Sequence, residues 1–391
     1  MKHFDVVIVG GAVHGASAAY HLAASPDFDG TVCLIEKDPT FQRAATALSA
    51  GSIRQQFSTA INIEISLFGV RFLRDVGTIL EVEGDRPTIG LHEGGYLFLA
   101  TDAGAAVLAG NHALQRKLGA DIDHLDPAGL KARFPWLSTD EIVAGCHGNT
   151  GEGWFDGYGL MQAFRKKAKS LGAELMTGEV ARIDRDGGRA TGVTLADGTR
   201  IGAGTVIVTA GPGTVPLLAN VGVALPVEPR KRLVFTFSCR EKLPRFPLLI
   251  DPTGIYVRPE GEMYLCGGAP SPDDDPFATD FEVEHGFFEE VLWPVLATRV
   301  PAFEAIRPGR SWAGHYDMNL FDHNAIVGPV PETSGLLIAV GFSGHGLQQS
   351  PAVGRGLAEL VAHGAYRSLD LSPLGYGRIA RGEALNEKNV V

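Results

Sequence analysis

Residues 4–36 constrain this chain more than any other stretch. Phe4-Asp5-Val6-Val7-Ile8-Val9 is a short apolar run, and Gly10-Gly11-Ala12-Val13-His14-Gly15 follows at once. Ala16–Ala24 has the small-residue composition of a tightly packed helix, and Thr31–Glu36 reads as a second strand closing on an acid. Strand, glycine turn, helix, strand and terminal acid in that order predict a βαβ unit that holds a dinucleotide. The turn lets backbone approach a pyrophosphate, and the helix start offers unpaired N–H groups to its charge. Glu36, 21 residues after Gly15, is spaced to accept hydrogen bonds from ribose hydroxyls, which favours NAD or FAD over NADP. Ala12 replaces the middle glycine of the usual pattern; its methyl crowds the pyrophosphate slightly and leaves the turn feasible.

With 391 residues the chain exceeds one small core, and two or three domains are expected. No apolar run reaches the ~18 residues of a membrane span. The first strand starts at once, with no basic segment leading into an apolar core, so no targeting peptide is expected. A net charge of −11 argues against nucleic acid or anionic lipid as a general partner. Cys33, Cys146, Cys239 and Cys266 are far apart and form no CxxC pair, which suggests free thiols in a reducing compartment, the cytoplasm. Metal-ligand spacing is absent from the sequence.

Downstream, 41–60 is polar and glycine-containing, and 61–81 has helical periodicity through Ile65, Phe68, Phe72 and Leu80. Strand-like runs at 94–100, 233–237 and 262–268 predict an antiparallel sheet separate from the opening unit. Residues 101–132 read as helical with an N-cap at Thr101 or Asp102. The dinucleotide-type pattern returns over 157–211: a helix at 160–171 capped by Asp156, strands at 173–176 and 179–183, and turns at Asp186-Gly187-Gly188 and Asp197-Gly198. A buried strand at 205–209 then ends in Ala210-Gly211-Pro212-Gly213. A last buried strand, 335–340, runs into Gly341-Phe342-Ser343-Gly344-His345-Gly346 and a helix over 347–363. The acidic loop 270–282 reads as a solvated excursion. The expected fold is α/β with an α+β insertion. One domain comprises 1–84, 150–222 and 325–391, and a second, substrate-binding domain comprises 85–149 and 223–324.

With these segments in place, the chain resembles the D-amino-acid-oxidase-like superfamily of FAD enzymes, which includes sarcosine and glycine oxidases and dimethylglycine dehydrogenase. The blocks that carry the resemblance are VIVGGAVHGASAAYHLA with LIEKD, ALSAGSIRQQFS, and WAGHYDMNLFDHNAIVG with GFSGHGLQQSPAVGRGLAELV. EGWFDGYGLMQAFRKKA and GFSGHGLQQSP are closer still to the subgroup called FAD-dependent oxidoreductase domain-containing proteins. The resemblance implies a Rossmann-type FAD-binding domain interleaved with an antiparallel-sheet substrate domain. It assigns the cofactor to Gly10, Gly11, Ala12, Val13, His14 and Gly15, with Glu36 and Lys37, and wraps the flavin in the loop carrying Ser49, Ala50, Gly51, Ser52, Arg54 and Gln55. Val180 falls at the adenine, Ala210 and Gly211 at the pyrophosphate, and Gly341, Phe342, Ser343, Gly344, His345, Gly346 and Leu347 at the flavin pyrimidine. There the dipole of the following helix favours negative charge.

The sequence departs from relatives that attach FAD covalently. Gly314 stands where one has cysteine, and Leu48 or Ser49 where another has histidine, so non-covalent FAD is expected. The WAG block lacks the carboxylate-binding arginine of glycine oxidase, and 262–268 lacks the oxygen-activating lysine of sarcosine oxidase. Oxygen and another electron acceptor both stay open. The implied reaction is oxidation of the C–N bond of an amino acid or secondary amine, of the N-substituted glycine type, with hydride transfer to flavin N5. Arg54 is the first candidate for a cation near flavin or substrate and Arg258 the second. His315, Tyr316 and Tyr256 are assigned to the substrate pocket, with Gln55, Gln56 and Phe57 along its wall and His345 beside the flavin. Two alternatives stand: a 2-hydroxy-acid dehydrogenase, and a flavin-containing assembly factor without turnover.

Overall fold

The computed structural model describes residues 1–271 and 274–389. Strand Lys2–Val9 lies inside an eight-stranded sheet, parallel to Arg200–Val208 on one side and Val32–Glu36 on the other, with Val7 opposite Val206 and Cys33. Glu174–Thr177 extends the sheet beyond Val32–Glu36, and Leu336–Val340 beyond Arg200–Val208. Ile326–Pro329 closes that edge antiparallel. Val6 to Val9 are all buried because both faces of a parallel sheet are covered, which is why these strands read as continuous apolar runs. Helices Val13–Ala23, Gly157–Ser170 and Gly346–His363 contribute to the core on one face, through Leu22, Phe164 and Val353. The hairpin Val180–Asp186/Arg189–Leu195 supplies Ile183 and Val193 to the core on the other.

The second eight-stranded sheet runs Ile306–Asn319, Val227–Cys239, Met263–Gly268, Tyr256–Glu260, Leu248–Ile250, Tyr96–Ala100, Ala144–Gly148 and Ile122–Leu125. Neighbours are antiparallel except for Leu248–Ile250 beside Tyr96–Ala100, a parallel junction in the expected antiparallel sheet. Its two longest strands pair in the register Lys231 with His315 and Arg232 with Gly314, and the Asp317 carbonyl accepts from Ser343 N at 3.1 Å, which brings the 312–317 block to the end of Leu336–Val340. An aromatic core of Phe237, Phe246, Phe288, Phe303 and Tyr264 backs it.

The structure corrects three local expectations. Residues 101–132 are not one helix. Helix Asp102–Lys117 stops before Gly119, whose φ of 93° favours glycine. Strand Ile122–Leu125 and helix Pro127–Arg133 follow, the latter capped by Asp126, which accepts from Gly129 N at 2.7 Å. The opening helix begins at Val13, inside the glycine motif. The acidic loop is tied down in part. Asp275 pairs bidentately with Arg232 at 2.7 and 2.8 Å, and Asp280 accepts from Lys231 at 3.0 Å. Three consecutive cations, Arg230, Lys231 and Arg232, draw its carboxylates in; Pro272 and Asp273 lie outside the described residues.

Candidate active site

The glycine turn is built by steric necessity. Gly10 has φ 99°, and a Cβ there would sit 2.6 Å from the Thr209 carbonyl oxygen. At Gly15 a Cβ would meet the Gly10 oxygen at 1.9 Å, so helix Val13–Ala23 can seat on the turn only without a side chain. Ala12 is the helix N-cap and lends no side-chain oxygen, so the cap itself leaves the first-turn amides to a ligand. Glu36 Oε2 accepts from Gly11 N at 2.7 Å and Oε1 from Asp38 N at 2.8 Å. A carboxylate has about four acceptor positions, so hydroxyls can still be bound.

A cavity of about 1090 Å³ starts at this turn. Gly10, Ala12, Val13, His14, Glu36, Lys37, Val180, Ala210 and Gly211 line one end. Ser49, Ala50, Tyr256, His315, Tyr316, Phe342, Gly344, Gly346 and Leu347 line the rest. Of the other residues assigned to the cofactor, Gly11, Gly15, Gly51, Gln55, Gly341 and Ser343 sit behind the wall. Gly51 has φ 66° and abuts the Phe155 carbonyl, and Ser343 Oγ accepts from Asn319 N at 3.0 Å. Gly341 N donates to Asp317 Oδ2 at 2.7 Å. Burial holds the Asp317 carboxyl up at about 6. His14 stacks on Phe342 with ring centroids 3.8 Å apart, joining the first helix start to the last. Burial drives its pKa down to about 3, so the ring is neutral.

A second cavity of about 50 Å³ shares Ser49, Ala50, Tyr256, Tyr316 and Gly344 with the first, and adds Ser52, Arg54, Tyr96, His345 and Gln348. Arg54 is only 3% exposed. Its guanidinium lies 4.1 Å from the Phe57 ring centroid and 5.3 Å from that of Phe98. It donates to the Gln56 and Asn389 carbonyls and, at 3.2 Å, to His345 Nε2. Burial and the Arg54 charge push His345 down to about 3, so it faces the arginine as a neutral acceptor. Burial raises the hydroxyl pKa of Tyr96, Tyr256 and Tyr316, keeping all three protonated at neutral pH. Neither Gln56 nor Phe57 lines a cavity; they sit under and beside Arg54.

Arg258 lines neither cavity. Its Nε and Nη2 clamp the Ala50 carbonyl at 3.0 and 2.5 Å, and its guanidinium lies over Trp154 at 5.5 Å. It supports the loop carrying Ala50 from behind. His315 lines the larger cavity, edge-on to Phe281 at 4.4 Å. Sequence reasoning missed two buried groups here. Arg232 crosses the Tyr316 ring at 5.2 Å while paired with Asp275. Glu152 accepts from Gln55 N at 2.6 Å, Gln56 N at 3.1 Å and Gln56 Nε2 at 2.8 Å, yet burial outweighs these bonds and raises its pKa to about 7. The one trace of Glu152 in the sequence is its place between two glycines, whose φ values are 77° and 155°.

These residues fit FAD. The larger cavity matches the upper range of small-molecule sites (~300–1000 Å³). It offers backbone amides at two helix starts, a carboxylate for ribose, and apolar walls at Leu48, Val234 and Phe342. The start of Gly346–His363 has no side-chain cap, and no cysteine lines either cavity among the described residues.

The model of the DAO family, described as FAD dependent oxidoreductase, matches residues 5–360. The FAD-dependent oxidoreductase domain-containing protein 1 of Xenopus laevis is 42% identical over 426 residues, covering 99% of this chain and 85% of that protein. L-proline dehydrogenase from P. horikoshii superposes with a TM-score of 0.87 at 26% identity, covering 98% of this chain and 99% of the other. Glycine oxidase from Geobacillus kaustophilus superposes at 0.81 and 26%, covering 96% and 98%. Among the described residues no helix is long and apolar enough to cross a membrane. The chain belongs to the DAO family of FAD-dependent oxidoreductases.

Proposed function

We propose that the protein holds FAD non-covalently in the larger cavity and oxidises the C–N bond of a small amino acid or secondary amine, N-substituted glycines first. The observation that carries this reading is the buried Arg54 guanidinium beside the smaller cavity, with the protonated Tyr96, Tyr256 and Tyr316 along its wall. Glycine oxidase and L-proline dehydrogenase are similar chains whose names place them on such substrates. FAD, when bound, supplies the hydride acceptor.

In this reading the chain's own residues bind, orient and keep water out. Arg54 receives the substrate carboxylate, with Tyr256 and Tyr316 donating hydrogen bonds to it. The amine lies towards the larger cavity and reacts with its nitrogen deprotonated. Neutral His345 keeps the second positive charge of an imidazolium away from Arg54. Glu36 and the turn at Gly10–His14 hold the adenosine half, and Gly344–Leu347 the flavin half. We also propose that 1–84, 150–222 and 325–391 act as the FAD unit and 85–149 with 223–324 as the substrate unit, in the cytoplasm, whose reducing conditions suit the free thiols.

The test is anaerobic mixing of the FAD-loaded protein with N-methylglycine, glycine, proline and lactate. Bleaching of the flavin by an amine supports the proposal; bleaching by lactate alone assigns a 2-hydroxy-acid dehydrogenase, and no bleaching by any of them rejects turnover on these classes. Admitting air then separates oxygen from another acceptor by the rate of reoxidation.

A further inference from the structure

Arg54 is held from behind by a segment more than 300 residues away in sequence. Glu387, 3% exposed, takes up six donors. Its Oε1 accepts from Ser58 N and Oγ, both at 2.7 Å, and from Asn389 N at 3.0 Å. Its Oε2 accepts from Thr59 N at 3.2 Å, Thr59 Oγ1 at 2.9 Å and Asn62 Nδ2 at 3.1 Å. Helix Ala60–Arg74 has no cap from its own N-cap side chain; Glu387 binds the amides of Ser58 and Thr59 just ahead of it and places a charge of the right sign at that terminus. The segment is pinned upstream as well. Leu385 N donates to Asp322 Oδ2 at 3.1 Å, and Arg378 holds the same carboxylate at 2.7 and 3.0 Å.

This anchoring fixes where Asn389 sits. Its carbonyl accepts from Arg54 Nη2. Its Nδ2 donates to the Gln56 carbonyl at 3.1 Å, the oxygen that also accepts from Arg54 Nη1. Asn389 therefore controls both carbonyls that grip the guanidinium, and Asn111 Nδ2 steadies it at Oδ1 from the far side at 3.2 Å. An arginine has five N–H donors. Those two carbonyls and His345 occupy three, both of Nη2's among them, which leaves Nε–H and one Nη1–H pointing to different sides, each able to meet one carboxylate oxygen.

We infer that Glu387 and Asn389 are positioning residues of the substrate site, holding Arg54 at the angle from which a remaining N–H donor and the guanidinium charge meet a substrate carboxylate. This rests on the proposed role of Arg54 as the carboxylate's cation. In the full chain loaded with FAD, Asn389→Ala removes the tie to Gln56, and Glu387→Gln turns one acceptor oxygen into a donor facing donors. Two probes separate positioning from general damage: N-methylglycine against its uncharged amide, and acetate titrated into the protein and followed by the flavin absorbance.

In both variants the KM for N-methylglycine and the Kd for acetate are expected to rise about tenfold or more. The KM for the amide, the FAD content and the Tm of Asn389→Ala stay near wild type. An equal rise for amide and carboxylate, or no rise in Asn389→Ala, overturns the inference. If Glu387→Gln does not fold, Asn389→Ala decides alone. A wild-type protein that binds acetate no better than acetamide overturns the Arg54 reading, and this inference with it. A wild type that discriminates while its variants discriminate equally overturns this inference alone.

Discussion

The glycine-turn end of the larger cavity and the smaller cavity that adjoins its other end are built from different materials. At the end proposed for adenosine the wall is mostly backbone: a turn that tolerates no Cβ at Gly10 or Gly15, a helix start without a side-chain cap, and one carboxylate already oriented by two amides. Around the smaller cavity, proposed above for the substrate, the determinants are buried side chains: Arg54 with Glu152 nearby, three tyrosines, and Arg232 paired with Asp275. Backbone recognition depends on close approach, so added bulk breaks it. Side-chain recognition depends on burial and charge, so altered ionisation breaks it. The two ends should fail separately.

The largest effect is expected at Gly15→Ala. With the Gly10 oxygen 1.9 Å from the new Cβ, the helix must leave the turn at a cost of about 3 kcal/mol or more, seen as a lower Tm with loss of bound FAD. Arg54→Ala attacks the other end. FAD content should persist while kcat/KM for a carboxylate-bearing amine falls about 100-fold, and Arg54→Lys should restore little because a point charge does not reproduce the planar fork. Loss of FAD in Arg54→Ala would dissolve the distinction between the ends.

Glu152 gives a pH signature. Its folded pKa of about 7 lies above the 4.5 of an ordinary glutamate, so the folded state binds this proton more tightly than the unfolded chain. Its contribution is fully present below about 4.5 and is lost as pH rises through about 7, a change of up to about 3 kcal/mol. The stability gained by Glu152→Gln over wild type should therefore grow between pH 5 and 8 in chemical denaturation; a constant difference would place the carboxylate's ionisation elsewhere. The smallest effect is expected at Asp275→Asn, which unties the loop from Arg232. About 1–2 kcal/mol of stability and a faster approach of substrate, read by stopped-flow, should follow with FAD affinity unchanged.

The same contrast explains what could be read from the chain. Gly10, Gly15, Glu36 and the strand 4–9 lie within 36 residues, and their spacing alone implies the turn, the helix and the acid. Asp156 was legible as a cap because its acceptor role is local: it accepts from Gly159 N at 2.9 Å. Arg258 was misread for the opposite reason. A strand arginine has no local mark that separates a cavity cation from a clamp, and its partner Ala50 is 208 residues away. Glu387 has no mark in the sequence, and Glu152 has only its flanking glycines, since an acid becomes a buried acceptor only when a distant loop supplies its donors. The 101–132 stretch was over-extended because alternation across Ile122–Leu125 is too brief to interrupt a helical pattern.

The stack of His14 on Phe342 carries a consequence for synthesis. The strand made first, Lys2–Val9, ends up between neighbours of which one, Arg200–Val208, is about 200 residues downstream. At ~5–20 residues per second, Val7 waits roughly 10–40 s for its partner Val206. The ring that closes over His14 arrives later still. During that interval the apolar run Val6–Val9 lacks one of its two neighbouring strands, and the cleft beside the glycine turn has no far wall. If the cleft holds FAD as proposed, its far wall is complete only once Phe342 has been made, and the yield of holoprotein should depend on whatever shields that first strand while it waits.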